Sequence, residues 1–458
     1  MKLEINLRHH RIAAGAVAAA ALCAAMPAAE AQAPQDLSAL RKDMDTLRHD
    51  YEAKIGDLEA RLAKAEADAA AARQEAAQAT AAAQAAPVDQ LAQAPASAPS
   101  APTSGNAFNP GIAAVLNGFA TVASHDPGAA SISGFATGDE IAGPPRGFSL
   151  GESEVSLTAN IDPSLAGFVV FSFNNDNEVS VEESYIRTTE LPGGLTFKAG
   201  RFFSGIGYVN EQHSHNWSFS DAALPYRAFL NSQYGDDGVQ VRWLAPTDQF
   251  LEFGAEAFRG DSFPAGRAAN NGAGAYTLFV HTGADINPSS SYLAALSYLH
   301  AKADGRETGA DLFSGDSDLG IASFVYKWAP NGNPTVNNLM LTSELFFGRD
   351  KGEFNGTAMS QSRTGWYAQG VYQFMPRWSA GVRLAGLNSD DPGPLLTGSS
   401  LDDLGQSPFA ASALLEWDTS EFGRLRLQYT RDETSQQDND ELLLQYTVTY
   451  GPHGAHRY

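Results

Sequence analysis

The chain has 458 residues, and its 53 acidic residues outnumber its 30 Lys and Arg residues, which gives a net charge of −23 at pH 7. We expect no nucleic-acid partner, because such partners require concentrated positive charge on the protein. The single cysteine, Cys23, lies in a segment that we expect to be removed, so a disulfide framework is excluded for the mature protein.

The N-terminus has the order of a secretory signal. Lys2, Arg8 and Arg11 precede an apolar run from Ile12 to Met26, and alanines follow at positions 29 and 31. A basic start, an apolar stretch and a small-residue cleavage site are typical of a cleaved signal peptide. The sequence therefore predicts a signal peptide over residues 1–31 and an exported protein.

A helical segment with a coiled-coil pattern follows the signal. Its apolar residues alternate spacings of three and four, with one extra four-residue step. These residues are Leu37, Leu40, Met44, Leu47, Tyr51, Ile55, Leu58, Leu62 and Ala65. Because a lone helix cannot bury such a stripe, we predict self-association, most simply as a homotrimer. Residues 32–86 are thus predicted to be a periplasmic coiled coil, and residues 87–104, rich in Ala, Pro and Ser, a flexible linker.

From residue 105 to residue 458 the chain reads as about sixteen alternating segments of about ten residues each. Short turns rich in Pro, Gly, Asn and Ser alternate strictly with longer polar connections. The short turns lie at 162–164, 191–194, 246–248, 287–289, 330–332, 375–376 and 419–421, and the long connections at 124–146, 204–236, 260–273, 303–316, 349–362 and 390–407, with shorter ones at 174–177 and 432–438. This alternation predicts an all-β transmembrane antiparallel β-barrel in the outer membrane of a Gram-negative cell, surrounded by lipid, with short turns on the periplasmic side.

Period-two alternation predicts which face of each strand meets lipid. On the last strand Leu442, Leu444 and Tyr446 face lipid, whereas Gln445 and Thr447 face the lumen. The same alternation on other strands turns charged residues inward, and these are Glu252, Glu256, Glu344 and Arg383. Four tryptophans near short turns predict a periplasmic aromatic girdle, and these are Trp243, Trp328, Trp378 and Trp417. The lumen is therefore predicted to be polar and water-filled.

The longest connection, near Ser204 to Gly235, is expected to fold into the lumen and narrow it. If its backbone is extended at Glu211, His213 and His215, these side chains project together and fit a borderline-soft divalent metal such as Zn²⁺. Hydrogen bonds that fix the loop to the barrel wall explain the same residues and are the simpler explanation. Together with lumen-facing charges, they form the predicted pore and selectivity set, which is Glu211, His213, His215, Asp221, Arg227, Arg242, Glu252, Glu256, Glu344 and Arg383.

Acidic charge has two interpretations in this chain. From residue 105 onward there are 40 acidic and 20 basic residues. The excess either keeps long loops hydrated or favours cations in the pore. The acidic loop at 304–318 offers carboxylates for calcium but lacks the spacing of a calcium-binding loop, so a solvated loop is the simpler explanation.

One short string fits a catalytic motif. Gly147 to Gly151 has the form G-x-S-x-G, but the motif needs a strand, a turn and a helix, whereas here it opens a predicted β-strand. We therefore expect no enzyme.

Several segments carry a resemblance to known families. The stretches VEESYIRTTELPGG (181–194) and GLTFKAGRFFSGIG (194–207) resemble the phosphate-selective porin superfamily of the O and P type, including its N-terminal coiled coil. GRFFSGIGYVNEQHSHNWSFSDAALPYRAFL (200–230), YGDDGVQVRWLAPTD (234–248) and GPHGAHRY (451–458) are similar to a family labelled zinc-regulated TonB-dependent outer membrane receptor. The resemblance implies an outer-membrane barrel with a connection to zinc supply.

The expected function is passive diffusion of small hydrophilic solutes through a porin, with a bias towards cations or zinc. TonB-dependent transporters have about 22 strands around a plug domain, whereas 354 residues follow Ser104. Two alternatives stay open: energy-coupled metal uptake, and a structural anchor that tethers the outer membrane to peptidoglycan through the coiled coil.

Overall fold

The computed structural model describes residues 110–174, 178–266 and 272–451. The predicted signal peptide, coiled coil and linker lie outside these residues, as do His453 and His456 of the C-terminal string. Among the described residues, none of the helices is long and apolar enough to cross a membrane.

The described residues form one closed antiparallel β-barrel. Seventeen strands form a single sheet, and the last strand pairs with the first. In chain order they are β1 (Gly111–Ala123), β2 (Gly147–Leu150), β3 (Ser153–Asp162), β4 (Leu165–Phe173), β5 (Val179–Thr188), β6 (Leu195–Phe203), β7 (Gly235–Leu244), β8 (Phe250–Phe258), β9 (Ala275–Asn287), β10 (Ser290–Thr308), β11 (Asp311–Trp328), β12 (Asn338–Phe354), β13 (Thr357–Met375), β14 (Trp378–Ser389), β15 (Phe409–Ser420), β16 (Gly423–Glu433) and β17 (Asn439–Tyr450).

Strands β2 and β3 share one position in the barrel. Both pair with β1, and only Gly151 and Glu152 separate them. At this break Ser153 Oγ accepts a hydrogen bond from Asn117 N at 3.0 Å, in place of a ladder bond. The barrel therefore has sixteen strand positions, as the sequence predicted.

Helical structure in the described residues is confined to connections. The α-helix, α1 (Leu224–Leu230), has Pro225 in its first turn and ends at Asn231, whose φ of 53° is left-handed. Short 3₁₀ turns occur at Pro127–Ala129, Pro192–Gly194, Ser214–Asn216 and Pro330–Gly332.

Burial alternates along the strands as the sequence predicted. On β17, Leu442, Leu444 and Tyr446 are 42%, 45% and 45% exposed on the outside of the barrel, whereas Gln445 and Thr447 are buried inside. The outer surface is accordingly a band of exposed apolar side chains, the kind of surface that hydrocarbon solvates.

The four predicted girdle tryptophans lie at the end of the barrel that carries the short turns. Trp378 and Trp417 pair across β14 and β15 and stack with centroids 5.8 Å apart. Trp243 stacks on Phe253 at 5.7 Å and donates its indole N–H to Gly193 O at 3.1 Å. We call the opposite end, which carries the long connections, the outer end.

Two predicted loops are instead continuous hairpins. Residues 303–316 and 349–362 largely belong to β10, β11, β12 and β13, which stay paired up to their tips. At one tip Asn355 and Gly356 have φ of 52° and 76°, the left-handed pair that a tight two-residue hairpin requires.

The interior also differs from the prediction of a uniformly polar lumen. Residues 204–234, which we call the lumenal loop, fold inside the barrel and bury apolar side chains against the wall. Phe229 stacks on Phe346 of β12 at 5.8 Å, and Tyr226 packs edge-on against the same ring at 5.1 Å. Much of the lumen is therefore an apolar core, because apolar loop residues meet apolar inward positions of the strands.

Candidate functional site

The lumenal loop is held to the wall by Glu344, one of the predicted pore residues. Its carboxylate accepts hydrogen bonds from Tyr208 N at 2.8 Å, Tyr226 Oη at 2.9 Å and Tyr367 Oη at 2.5 Å. Tyr208 and Tyr226 belong to the loop, whereas Tyr367 belongs to β13. A single buried carboxylate thus joins the loop to two strands.

Glu256 plays the same part at the start of the loop. Its carboxylate accepts hydrogen bonds from Gly205 N at 3.0 Å and Gln240 Nε2 at 2.6 Å, and also from Ser204 and Thr277 hydroxyls. Because one buried carboxylate meets all these donors, the loop leaves β6 in a fixed direction.

Buried ion pairs hold the far half of the loop. Arg383 Nη2 of β14 lies 2.7 Å from Asp221 Oδ1 of the loop. Arg227 Nη1 of α1 lies 3.0 Å from Asp432 Oδ2 of β16. The predicted residues Asp221, Arg227 and Arg383 therefore act in the described structure as attachments between loop and wall.

Glu211 lies in a separate ion-pair group. It pairs with Arg242, and Lys198 Nζ is 3.6 Å away. Burial raises the pKa of Glu211, but the positive charges of Arg242 and Lys198 outweigh burial and lower that pKa to about 2. Arg242 also faces Glu252 at 3.4 Å, so this group unites three predicted residues.

His213 and His215 are not grouped with Glu211, as the extended-backbone hypothesis required. The backbone there forms turns and the 3₁₀ turn Ser214–Asn216. His213 Nδ1 lies 3.2 Å from Glu154 Oε2 and 3.3 Å from Glu182 Oε2, and His213 Nε2 lies 3.0 Å from Glu183 Oε2. The histidines thus meet carboxylates from the barrel wall instead.

His215 and Ser214 complete this group. His215 Nδ1 lies 2.9 Å from Glu154 Oε1, and its ring stacks on that of His213 with centroids 5.8 Å apart. Ser214 Oγ donates to Glu152 Oε2 at 2.7 Å. We call Glu152, Glu154, Glu182, Glu183, His213 and His215 the carboxylate–histidine cluster.

The cluster stabilises positive charge at His213. Burial by itself lowers the pKa of His213, but the surrounding carboxylates of Glu154, Glu182 and Glu183 outweigh burial and raise that pKa well above its usual range. Among the described residues, these three carboxylates form ion pairs only with histidine side chains. The cluster therefore gathers four glutamate side chains around two histidines.

A bulge in β5 explains how two successive glutamates both reach the interior. Val170 of β4 pairs with Glu183 and Phe171 pairs with Val181, so Glu182 is an extra residue without a partner. An extra residue shifts the inward-outward alternation by one. Glu154, Glu182 and Glu183 are absent from the predicted site, because no local sequence pattern predicts such a bulge.

A cavity of about 980 Å³ lies beside the lumenal loop. Its lining runs from outer-end residues such as Asp126 and Asn439 to Glu152, Glu182 and Ser214 of the cluster region. Among the described residues, nine acidic side chains and two arginines line it; they are Asp126, Glu140, Glu152, Glu182, Asp221, Asp236, Asp261, Asp432, Glu441, Arg201 and Arg227. The cavity is therefore strongly acidic.

Comparisons with known proteins give distant similarities. No protein-family model matches the chain. A protein of Aquifex aeolicus (strain VF5) named "Uncharacterized protein" is 28% identical over 340 residues, which span 68% of this chain and 70% of that protein.

Solved structures with a similar backbone include outer-membrane proteins. OmpT of Vibrio cholerae in its trimer form has a TM-score of 0.48 and 10% identity, covering 75% of this chain and 99% of that one. The outer membrane channel DcaP of Acinetobacter baumannii has a TM-score of 0.48, 10% identity, and coverage of 75% and 97%. The anion-selective porin from Comamonas acidovorans has a TM-score of 0.47, 9% identity, and coverage of 75% and 99%.

Proposed function

We propose that the protein is an outer-membrane, porin-like channel for small hydrophilic solutes. The observation that carries this proposal is a closed barrel with an apolar outer band and a large, charged internal cavity that includes outer-end residues in its lining. A barrel with lipid-compatible outer residues and polar space inside is suited to passage across a membrane. The lumenal loop forms the constriction.

Cation bias follows from the charges of the cavity. Carboxylates greatly outnumber arginines in its lining, and each of the two arginines forms an ion pair with an aspartate, Arg227 with Asp432 and Arg201 with Asp237. Rings of carboxylates favour cations and repel anions in narrow pores. This distribution argues against capture of phosphate, which needs unpaired Lys and Arg in the pore.

Conductance of the purified full-length protein in planar bilayers tests the proposal. We expect small, discrete conductance steps. Across about a tenfold KCl gradient, the reversal potential should have the sign that shows K⁺ to be more permeant than Cl⁻. Neutralising two cavity carboxylates, as Glu140→Gln with Glu441→Gln, should shift that potential towards zero. Glu353→Gln, an exposed residue outside the cavity lining, is the control. Absence of channels in folded protein would contradict the proposal.

The apolar outer band yields a separate prediction about membrane insertion. Leu444 lies in the middle of β17, is 45% exposed, and pairs with Leu427 and Ala120 on its two sides. Leu444→Arg places a charge in hydrocarbon and is expected to destabilise the barrel by about 2–4 kcal/mol. Urea titration of folding into phospholipid vesicles measures this.

The control is the same substitution near the tip of an outer hairpin. Leu312 is 47% exposed at the outer end of β11, and Leu312→Arg should cost only about 0–1 kcal/mol, as near a membrane interface. Equal effects of the two substitutions would show that the outer band does not face lipid.

A further inference from the structure

We propose that Glu154, Glu182 and His213 form a binding site for one divalent transition-metal ion of the Zn²⁺ class. The site lies between the barrel wall and the lumenal loop. It goes beyond the proposed channel function, and it stands whether or not the barrel conducts.

Three ligand atoms converge at distances that suit such an ion. His213 Nδ1 lies 3.2 Å from Glu154 Oε2 and 3.3 Å from Glu182 Oε2, and the atoms offered by the three residues all lie within 4.8 Å of one another. Tetrahedral Zn²⁺ with bonds of about 2.0–2.1 Å holds its ligand atoms about 3.3 Å apart. The two nitrogen-to-oxygen distances therefore match this spacing, and the oxygens of Glu154 and Glu182 lie within 4.8 Å of each other.

Two of these atoms are buried and face each other at 3.3 Å as an ion pair, but neither makes a hydrogen bond of regular geometry among the described residues. They are Glu182 Oε2 and His213 Nδ1, and the Glu182 side chain is only 9% exposed. Buried polar atoms nearly always find a partner, and each exception calls for an explanation such as an ion. A metal ion between them would satisfy both.

The remaining polar atoms of the three side chains already contact other side chains, as the outer atoms of metal ligands usually do. His213 Nε2 lies 3.0 Å from Glu183 Oε2, and the other oxygen of Glu154, Oε1, lies 2.9 Å from His215 Nδ1. Histidines that bind metals usually donate their second ring N–H to a carboxylate, which fixes the ring and its tautomer. Glu183 and His215 would supply this outer support.

The local backbone is built to bring these side chains together. The bulge in β5 turns both Glu182 and Glu183 inward, although regular alternation would send one of them to the lipid side. Bulges often redirect a side chain at a functional site. Without a bound ion, the carboxylates of Glu154 and Glu182 share a single histidine side chain, and a divalent ion would place two positive charges between them.

The donor set favours a transition metal over calcium. One imidazole nitrogen with two carboxylates suits Zn²⁺ and its neighbours, whereas Ca²⁺ takes six to eight oxygen ligands. Three protein ligands also leave a fourth position for water. Because Glu182 and Ser214 line the cavity, an ion that enters the cavity can reach the site.

Metal titration of the full-length protein in detergent micelles tests this proposal. Zn²⁺ is added in competition with a chromophoric chelator, and Co²⁺ is used as a spectroscopic substitute. We expect one Zn²⁺ bound per chain and a visible Co²⁺ spectrum typical of four-coordination. Glu182→Gln, which keeps the shape of the side chain, should weaken Zn²⁺ binding by at least about a hundredfold, and Glu183→Gln by about ten- to a hundredfold.

Glu140→Gln is the matched control, because it removes one carboxylate from the same cavity but not from the cluster. It should leave Zn²⁺ affinity unchanged, and heat-dependent mobility on gels shows that each variant is folded. Equal Zn²⁺ binding by wild type and Glu182→Gln, or Ca²⁺ competing as well as Zn²⁺ does, would overturn the proposal. Zn²⁺ binding without conductance would support the site while contradicting the channel function.

Discussion

Replacing Glu344 by alanine is expected to loosen the lumenal loop around Tyr208 and Tyr226 and to raise single-channel conductance. The Glu344 carboxylate is fully buried and accepts hydrogen bonds from Tyr208 N, Tyr226 Oη and Tyr367 Oη. Each buried donor left without an acceptor costs about 1–3 kcal/mol. The strand ladder does not depend on this side chain, so the barrel itself should persist while the loop loosens where Glu344 held it.

Planar-bilayer recordings of wild type and variant measure the effect, together with limited proteolysis of the loop. Glu353→Ala removes an exposed carboxylate from the same strand and should leave both readouts unchanged. If Glu344→Ala folds but keeps the wild-type conductance and protease resistance, the loop is not the constriction.

Most of the barrel could be predicted from the sequence, because its signals are local. Outward Leu442, Leu444 and Tyr446 follow from period-two alternation alone. The hairpin tip at Asn355 and Gly356 was missed, although Asn-Gly is a strong local signal for a two-residue turn. The polar composition of this outer hairpin favours a loop, and that signal opposes the one from Asn-Gly.

The packed interior was harder to predict, because it depends on contacts between distant segments. Phe346 faces inward between the outward Leu345 and Phe347, and an inward aromatic residue is a sign that something apolar covers it. What covers it is the ring of Phe229, more than a hundred residues away along the chain. Only the fold brings these two apolar surfaces together.

The carboxylate–histidine cluster likewise depends on contacts between distant segments, which limits what the sequence alone predicts. His213 and His215 could be singled out from their spacing, but their partners could not. Glu154 comes from β3 and Glu182 from β5, and a one-residue bulge decides where Glu182 points. Proximity in the sequence favours Glu211 as the partner of the two histidines, whereas the structure pairs Glu211 with Arg242.

Replacing Asp350 by alanine is expected to destabilise the barrel more than any exposed ion-pair variant. Asp350 is 2% exposed and pairs with two buried arginines, with Arg306 Nη2 at 3.4 Å and with Arg363. Its removal leaves two positive charges buried without a counter-charge. Breaking a buried pair in this way costs about 3–5 kcal/mol, since the remaining charge is neither solvated nor neutralised.

The surroundings of the arginines offer little compensation. Arg306 lies over the ring of Phe313 at 4.6 Å, and Arg363 lies over those of Phe135 and Phe229 at 5.5 and 5.7 Å. Aromatic faces attract a cation by about 0.5–2 kcal/mol, which is less than the loss of the carboxylate. We therefore expect Asp350→Ala to lower the urea midpoint of the folded barrel and to loosen the outer loop that carries Phe135.

The matched control is Asp237→Ala, which breaks the pair with Arg201. That pair has a short contact of 2.8 Å, but its side chains are 46% and 43% exposed. Water solvates either charge when its partner is lost, so the expected cost is about 0–1 kcal/mol. Both variants remove an aspartate that pairs with arginine, and they differ in burial and in the second arginine that Asp350 holds. Equal urea midpoints for the two variants would contradict the assignment of Asp350 as a buried counter-charge.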